Sequence, residues 1–265
     1  MIYFQEETHL YSSIVPDTRK WVSVTSITGR CKPLFPREQK AKDCSIRKPS
    51  IKYPNKWYGI PYEVILQAWD DESIRSTDLG TWYHKKRENE LRDQDNVHWY
   101  ITEGDKKLAP IQKLQEGIYP EHMVYLDSAG ICGQVDLVEV TGNRVDINDY
   151  KTSKEITRRG YKNWEGVYKK LLVPLHHLED CHVNLYALQM SLYMYMILRH
   201  NPLMVPGTMT IEHIKFVQES ENEYGYPIYK KNDNGDYIVE GIEKIVVPYM
   251  KNEVQLLINN LKKNI

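Results

Sequence analysis

The chain has 265 residues, 41% of them hydrophobic, and a formal net charge of −1. This length fits one large domain or two small ones with a substantial core, and the near-neutral charge excludes a globally basic nucleic-acid-binding protein. Any polyanion site must therefore be a local patch. We expect no membrane span, because no apolar run reaches about 18 residues, and no signal peptide, because the N-terminus lacks basic and apolar regions.

The spacing of the cysteines and the lack of a phosphate-binding loop motif limit the cofactors that we expect the chain to use. The four cysteines, Cys31, Cys44, Cys132 and Cys181, are scattered and form no CxxC pair. We interpret them as reduced intracellular thiols rather than as disulfides or a metal cluster. No GxxxxGK(S/T) loop occurs, so we expect that the chain does not use ATP.

The beginning of the chain combines a short structured stretch with a basic segment. Residues 22–27 are typical of a strand or of the entry to a helix, with Thr25 or Ser26 as a possible cap. From Arg30 to Lys56, lysines and arginines are interleaved with prolines. This segment is either a solvated loop with helix fragments or an arm that contacts a polyanion.

Two helices are predicted next. The first opens at Pro61 and runs through Trp69, and the second begins near Asp78, which is a plausible N-cap. Gly80 in the second helix would permit a close backbone approach. His84 and Glu88 are four residues apart and share a helix face, although an isolated histidine of this kind is more often packed or solvated than functional.

A further helix is predicted over residues 106–119, and three antiparallel strands follow it. Residues 123–126 form the first strand, and residues 127–130 form a turn. The other two strands form a hairpin over residues 133–151 around the turn signal Thr141-Gly142-Asn143-Arg144.

The hairpin brings charged side chains together. If Gly142-Asn143 is a two-residue turn, Asp136 lies directly opposite Asp149, with Cβ atoms about 4.5–5.5 Å apart. Two carboxylates at that distance are destabilising unless a cation lies between them. Lys151 shares their face because side chains alternate along a strand, and a bulge would shift the pairing by one residue. The apolar residues on this face are Val138, Val140, Val145 and Ile147.

Paired carboxylates favour a particular cation chemistry. Oxygen ligands suit Mg²⁺ or Mn²⁺, and such ions lower the pKa of a bound water and neutralise charge on a phosphoryl group. Lys151, two residues after Asp149, is placed either to hold the attacking water or to stabilise the developing charge. A lone DxK is a weak signal, and the opposed Asp136 strengthens it.

The segment after the hairpin is basic again. Residues 153–172 mix lysine and arginine with Tyr161, Trp164 and Tyr168, a composition that suits single-stranded nucleic acid. The equal alternative is an amphipathic helix with a cationic outer face. A zinc site is conceivable at His176, His177, Cys181 and His182, but their spacing fits no standard site.

The last part of the chain gives the clearest helix signal. An apolar stripe predicts a helix over residues 184–199, on which Gln189 and Tyr193 are neighbours four residues apart. Alternation predicts a strand over residues 208–217, and residues 224–240 read as a polar hairpin. A C-terminal helix is predicted from Pro248 onward.

The order of these motifs resembles the PD-(D/E)XK nucleases, in the branch with RecB-type, Cas4-type and mitochondrial genome maintenance exonucleases. The matching motifs are Gly80-Thr81-Trp82-Tyr83-His84 (GxxxH), Glu121, Gly133-Gln134-Val135-Asp136 (GxxD), Asp149-Tyr150-Lys151-Thr152-Ser153 (DxKT) and Gln189-Met190-Ser191-Leu192-Tyr193 (QxxxY), with Ser23-Val24-Thr25-Ser26-Ile27 similar to the SVT segment of the mitochondrial type. Each motif is short, but five in the right order make a specific match.

The resemblance implies an α/β fold, the restriction-endonuclease-like core with a central mixed sheet flanked by helices. It assigns metal binding to His84, Asp136, Asp149 and the Tyr150 carbonyl, catalysis to Lys151 with Asp136, Asp149 and Glu121, and contact with the DNA strand to Gln189 and Tyr193. The nitrogen ligand tilts the preference from Mg²⁺ towards Mn²⁺. Iron–sulfur members carry three cysteines after the core, whereas the last cysteine here is Cys181, so we expect no iron–sulfur cluster.

The resemblance therefore predicts a metal-dependent DNase, an exonuclease that acts on free or single-stranded ends. The alternatives are a structure-selective endonuclease and a non-catalytic DNA-end-binding or assembly component. We expect a single nuclease domain with a helical and basic region (1–79), a catalytic core (80–217) and a C-terminal hairpin and helix (218–265). The expected setting is the cytoplasm of a bacterial or phage-infected cell, with replication, recombination or packaging proteins as partners, and residues 174–181 look most like phage-encoded members.

Overall fold

A central mixed β-sheet flanked by helices organises the protein, as the sequence predicts. The computed structural model describes residues 2–5, 8, 10–14, 20–109 and 112–263, with the side chains of residues 262 and 263 left out. The strands are β1 (Ile2–Gln5), β2 (Leu10–Ser13), β3 (Val22–Ser23), β4 (Ile101–Glu103), β5 (Lys106–Leu108), β6 (Gly117–Leu126), β7 (Ile131–Thr141), β8 (Arg144–Lys151), β9 (Val205–Phe216), β10 (Gln218–Glu221), β11 (Pro227–Tyr229) and β12 (Val239–Val247). The α-helices are α1 (Val24–Gly29), α2 (Arg37–Ile46), α3 (Tyr62–Leu91), α4 (His182–His200) and α5 (Lys251–Lys263).

The main sheet combines an antiparallel meander with one parallel crossover. Strands β6, β7 and β8 pair antiparallel in succession, β9 lies parallel to β8, and β12 lies antiparallel to β9. The parallel pair requires a long connection, which α4 supplies between β8 and β9. The short strand β3 pairs with the start of β7, on the same edge of β7 as β8 but beyond the end of the β7–β8 ladder, because β6 occupies the other edge.

The register of the β7–β8 hairpin is the predicted one. Val140 pairs with Val145, and the ladder ends at Leu137 opposite Asn148. Gly142 in the turn has φ +59, a left-handed conformation that glycine adopts without strain. Asp136 and Asp149 are therefore the next facing positions beyond the ladder.

Both faces of the sheet are buried, which fixes the two helices that carry the site. On one face, Val138 and Ile147 are fully buried in the cluster that includes the side chains of α1, α4 and α5. On the other face, Leu137 and Tyr150 pack against Leu79 and Tyr83 of α3. Helix α4 is apolar on most sides because it lies in the main core.

Helix α3 is continuous where the sequence predicted two helices. It runs from Tyr62 to Leu91, with Pro61 in the N-cap position. Asp78 lies inside this helix, so its expected role as an N-cap is wrong. The boundary expected between the N-terminal region and the catalytic core, at residues 79 and 80, falls within α3. The first half of α3 packs against α2, and its second half packs against the main sheet.

The helix predicted over residues 106–119 is also wrong. Residues 106–108 form β5, which pairs with β1 and β4 in a four-stranded sheet, and β6 begins at Gly117. The pairing of β5 with β1 joins residues about a hundred positions apart, and such contacts override a local helical preference. At the start of α1, the capping residue is Ser23 rather than Thr25 or Ser26, since its side chain accepts a hydrogen bond from the Ser26 N–H.

The later elements match the predictions more closely. Helix α4, strand β9 and helix α5 occupy the expected positions, whereas residues 152–181, which the structure describes throughout, contain no helix. The amphipathic helix considered for residues 153–172 is therefore wrong. Residues 218–240 form the β10–β11 hairpin followed by a second turn at Gly235. None of the helices in the described part of the chain is long and apolar enough to cross a membrane.

Candidate active site

Helix α3 and strands β6 and β7 bring His84, Glu121 and Asp136 together. One ligating atom from each of these side chains lies within 4.8 Å of the others. The His84 Nδ1 lies 2.9 Å from the Glu121 Oε1, and the His84 Nε2 lies 3.7 Å from the Asp136 Oδ2. A histidine and two carboxylates in this arrangement form a possible site for a divalent cation.

The strand registers explain why these carboxylates meet. The β6–β7 pairing places Asp136 opposite Glu121, and the β7–β8 pairing places it opposite Asp149. Glu121 has φ +48, an unusual conformation for a residue other than glycine and one that concentrates at functional sites. The side-chain amide of Gln134 donates a 2.6 Å hydrogen bond to the Glu121 Oε2 and so holds the carboxylate in place.

Asp149 is the most deeply buried of these acids. It is 1% exposed, and neither of its carboxylate oxygens accepts a hydrogen bond of acceptable geometry from the described residues. The ammonium of Lys151 forms an ion pair with it. Asp149 lies outside the group of ligating atoms formed by His84, Glu121 and Asp136. Its unsatisfied oxygens are the kind of buried acceptors that a metal, or water bound to one, would satisfy.

Tyr150 connects Asp149 to the opposite strand. Its backbone N–H donates a 2.7 Å hydrogen bond to the Asp136 Oδ2. Its ring is buried and lies edge-on to the ring of Tyr83, with the ring centroids 5.6 Å apart. The backbone at Tyr150 is thus fixed beside the acidic cluster.

Burial and neighbouring charges shift the pKa values of the cluster. Burial opposes the charge of His84, but Asp136 and Glu121 outweigh it and raise its pKa to about 9. Burial raises the pKa of Asp149 to about 6, against the opposing effect of Lys151. Burial also opposes the charge of Lys151, yet Asp149 and Asp136 hold its pKa above the ordinary value. Without a cation, His84 therefore carries a proton at neutral pH.

Helix α4 supplies the remaining pair of predicted residues. The Gln189 Nε2 donates a 3.3 Å hydrogen bond to the Tyr193 hydroxyl oxygen. Tyr193 is 3% exposed and packs against Gly133 so closely that a Cβ on that glycine would lie 2.6 Å from the Tyr193 Cε1. The glycine of the GxxD motif is therefore needed for the approach of α4 to β7.

The cluster lies in a cleft of about 1220 Å³. Five of the predicted residues line it, namely His84, Glu121, Asp136, Gln189 and Tyr193, whereas Asp149, Tyr150 and Lys151 are not among the lining residues. Sequence reasoning missed Gln134 and the far wall, which includes Phe4, Tyr11, Trp99, Tyr100 and Lys107. Gln134 could have been identified as the polar position inside GxxD, but the far wall had no local signal because distant strands build it.

Two of the four residues considered for a zinc site have other partners. The His177 Nε2 lies 3.3 Å from the Glu253 Oε1, and the His182 Nδ1 accepts a hydrogen bond from the Thr157 N–H. Within the described ranges, His84, Glu121 and Asp136 form the one group of three or more ligating side chains. The four cysteines are unpaired thiols, of which Cys31, Cys132 and Cys181 are buried.

Comparison with known proteins connects this geometry to a family. The family model described as the PD-(D/E)XK nuclease superfamily matches residues 60–254, from the start of α3 into α5. Comparisons with curated proteins and with solved structures find no significant match. The matched region contains the acidic cluster, Lys151 and the Gln189–Tyr193 pair.

Proposed function

The chain belongs to the PD-(D/E)XK nuclease superfamily, and on that premise we propose that it is a metal-dependent DNA exonuclease that acts on free or single-stranded ends. The family implies hydrolysis of phosphodiester bonds with a divalent metal. The observation that carries the proposal is the cluster of His84, Glu121 and Asp136 in a cleft, with the Asp149–Lys151 ion pair on the adjacent strand β8.

The residues present fit a divalent cation. His84, Asp136, Asp149 and the Tyr150 carbonyl would hold it, and Glu121 orients His84 through their 2.9 Å contact. Oxygen ligands suit Mg²⁺, and the histidine nitrogen tilts the preference towards Mn²⁺. When bound, such a cation supplies stabilisation of charge on the phosphoryl oxygens and lowers the pKa of a water.

Lys151 is the proposed catalytic residue. Its ammonium stays charged because Asp149 and Asp136 hold its pKa above the ordinary value. A half-buried cation that is held in place by Asp149 can orient the attacking water and stabilise negative charge as it develops on the phosphate. Gln189 and Tyr193 have a supporting role, since they place polar atoms on the cleft wall where they can orient the site or contact the strand.

The segment after β8 supports a nucleic-acid substrate. The segment 153–172 is basic and exposes Tyr161 (77% exposed) and Trp164 (92% exposed), and exposed rings beside cations suit contact with unpaired bases. We further propose that the protein works in replication, recombination or genome processing, beside proteins of those pathways and in the cytoplasm of a bacterial or phage-infected cell.

Cleavage of two DNA forms tests the proposal. Purified protein is incubated with end-labelled linear DNA and with circular single-stranded DNA, in Mn²⁺, Mg²⁺ or EDTA. Loss of the linear DNA alone, in the presence of a metal, is the expected result. Cleavage of the circles would instead assign a structure-selective endonuclease. Folded protein that cuts neither form with either metal would contradict the enzyme and leave a DNA-end-binding component.

A further inference from the structure

The cleft continues well beyond the acidic cluster along one face of α3. His84, Glu88 and Arg92 follow one another at intervals of four residues, and Lys85 lies beside them. Residues eight apart on a helix are separated by about 12 Å along its axis. At about 3.4 Å per stacked nucleotide, this distance spans on the order of three nucleotides of one strand.

The opposite wall is built from the small N-terminal sheet and the segment that leads into it. Trp99 and Tyr100 precede β4, and Lys107 lies on β5, where it pairs in register with Phe4 of β1. All four residues line the cleft. Together with Tyr11 of β2, the wall therefore contains four aromatic side chains and a cation, and Phe4 and Tyr11 come from a part of the chain outside residues 60–254.

Specific contacts hold this wall at a fixed distance from α3. The Tyr100 hydroxyl donates a 3.0 Å hydrogen bond to the Glu88 Oε1. The His98 N–H donates a 2.8 Å hydrogen bond to the Ile118 carbonyl oxygen of β6. Tyr100 and its neighbour Trp99 are therefore anchored on both sides and are preorganised to receive a ligand.

The charge in this part of the cleft differs from the charge at the cluster. Among the described residues that line this part of the cleft, Glu88 is the one carboxylate, and it is buried and already paired with the Lys85 ammonium at 3.2 Å and with Tyr100. Arg92 is exposed, and its guanidinium has no ion-pair partner among the described residues. The Lys107 ammonium lies 4.6 Å from the centre of the Tyr100 ring. The described residues at the far end of the cleft therefore supply cationic and aromatic groups, whereas those at the near end supply carboxylates.

Cations that follow a phosphate backbone, combined with rings on which bases stack, favour a single strand of nucleic acid. In a duplex the base faces are stacked on one another and cannot reach Trp99 or Tyr100. We infer that the part of the cleft between Lys85 and Arg92 of α3 and the Trp99, Tyr100 and Lys107 wall is a single-strand subsite. It holds the nucleotides next to the cleaved phosphate and selects a single strand over a duplex. The position of that phosphate rests on the proposed function, whereas the binding of the strand does not.

Binding of labelled DNA tests the subsite separately from cleavage. The full chain carrying Lys151→Ala, in Mn²⁺, is titrated against a fluorescein-labelled oligothymidylate and against a hairpin duplex of equal length. In this background, Arg92→Gln should weaken single-strand binding about threefold to tenfold and reduce the slope of log affinity against log salt by about 0.7. Trp99→Leu should weaken single-strand binding on the order of tenfold, with little effect on the weaker binding of the duplex.

The matched control is Lys251→Gln, because Lys251 is exposed at the start of α5 and does not line the cleft. It should bind both DNAs as the parent does. Melting temperatures equal to that of the parent show that Arg92→Gln and Trp99→Leu are folded. The inference is overturned if these folded variants keep full single-strand affinity. It is also overturned if their affinity for the duplex falls by the same factor as their affinity for the single strand. Cleavage of the same oligothymidylate by the unmutated chain separates the two claims. If the unmutated chain cleaves the oligothymidylate but the variants bind it as the parent does, only the subsite is rejected. If the variants bind it more weakly but the unmutated chain does not cleave it, only the nuclease function is rejected.

Discussion

Asp136 and Asp149 face each other on β7 and β8, one position beyond the last paired residues of the hairpin, Leu137 and Asn148. The same register on the other side of β7 places Asp136 opposite Glu121. Three carboxylates therefore lie in one row across three adjacent strands. Such a row is unfavourable without positive charge, and His84 and Lys151 supply it in the absence of a metal.

Replacing Lys151 with alanine tests its proposed catalytic role. We expect Lys151→Ala to lower the cleavage rate by about a thousandfold, because a fixed charge at a developing anion contributes about that much. Binding of Mn²⁺ and DNA should remain largely intact. The measurements are single-turnover cleavage of end-labelled DNA and, in parallel, titration calorimetry with Mn²⁺. Lys251→Ala serves as the control, and a Lys151→Ala protein that cleaves at the rate of the unmutated chain would remove Lys151 from the mechanism.

The contact between Gly133 and Tyr193 predicts a stability effect. Gly133→Ala would place a Cβ 2.6 Å from the Tyr193 Cε1 and 3.3 Å from the Val24 Cγ2, so α4 or its tyrosine must shift. Overpacking of this kind costs about 1–3 kcal/mol, which urea unfolding measures. Gly241→Ala is the matched control, since a Cβ there meets nothing within 4 Å. Equal unfolding midpoints for the two variants would show that the packing at Gly133 is not tight.

His122 predicts a loss of stability in acid. Its side chain is buried, its Nδ1 has no hydrogen-bond partner in the described part of the chain, and burial lowers its pKa from 6.5 to about 4. A histidine with a lowered pKa binds its proton more weakly when folded, so this effect destabilises the fold as the pH falls from 6.5 towards 4. Between pH 7.5 and pH 5 the loss should be about 2 kcal/mol.

The variant His122→Leu isolates this effect, because leucine has a similar volume and cannot take up a proton. Urea unfolding in EDTA at both pH values should show a smaller acid loss for His122→Leu than for the unmutated chain. Identical losses would mean that His122 is accessible to protons or partnered in solution.

The burial of the thiols predicts their reactivity. Burial raises the pKa of Cys31 to about 11 and also raises the pKa values of Cys132 and Cys181, so few thiolates are available at pH 8. Cys44 is half-buried on α2. A colorimetric thiol reagent should therefore react rapidly with one thiol of the folded chain and with all four after unfolding. Rapid reaction of the buried thiols would indicate that the core around β7 opens.

The sequence predicted the elements whose signals are local. The Gly142-Asn143 turn set the hairpin register, and the apolar stripe located α4. What could not be predicted depends on contacts between distant residues. Strand β5 joins a sheet through its pairing with β1, which comes from the other end of this part of the chain. Asp78 looked like a helix start, but α3 packs on α2 through Ile65 and Ala68 and on the sheet through Leu79 and Tyr83, and it is one continuous helix.

The candidate site shows the same division. The motif residues His84, Glu121 and Asp136 were expected together and lie together. The ion pair of Lys151 with Asp149 could be placed by strand alternation. The wall formed by Trp99, Tyr100 and Lys107, by contrast, follows from a sheet that assembles across the cleft and that no period in the sequence marks.

Binding of Mn²⁺ to the unmutated chain and to Asp136→Asn tests whether the row of carboxylates is a metal site. Asp136 is opposite both Glu121 and Asp149, so its loss should weaken Mn²⁺ affinity at least tenfold. The same substitution should leave the melting temperature in EDTA unchanged or higher, because it relieves the repulsion within the row. We expect Mn²⁺ to raise the melting temperature of the unmutated chain and to have little effect on that of Asp136→Asn. An unmutated chain that binds no Mn²⁺, or an Asp136→Asn chain that binds it equally well, would show that the row is not a metal site.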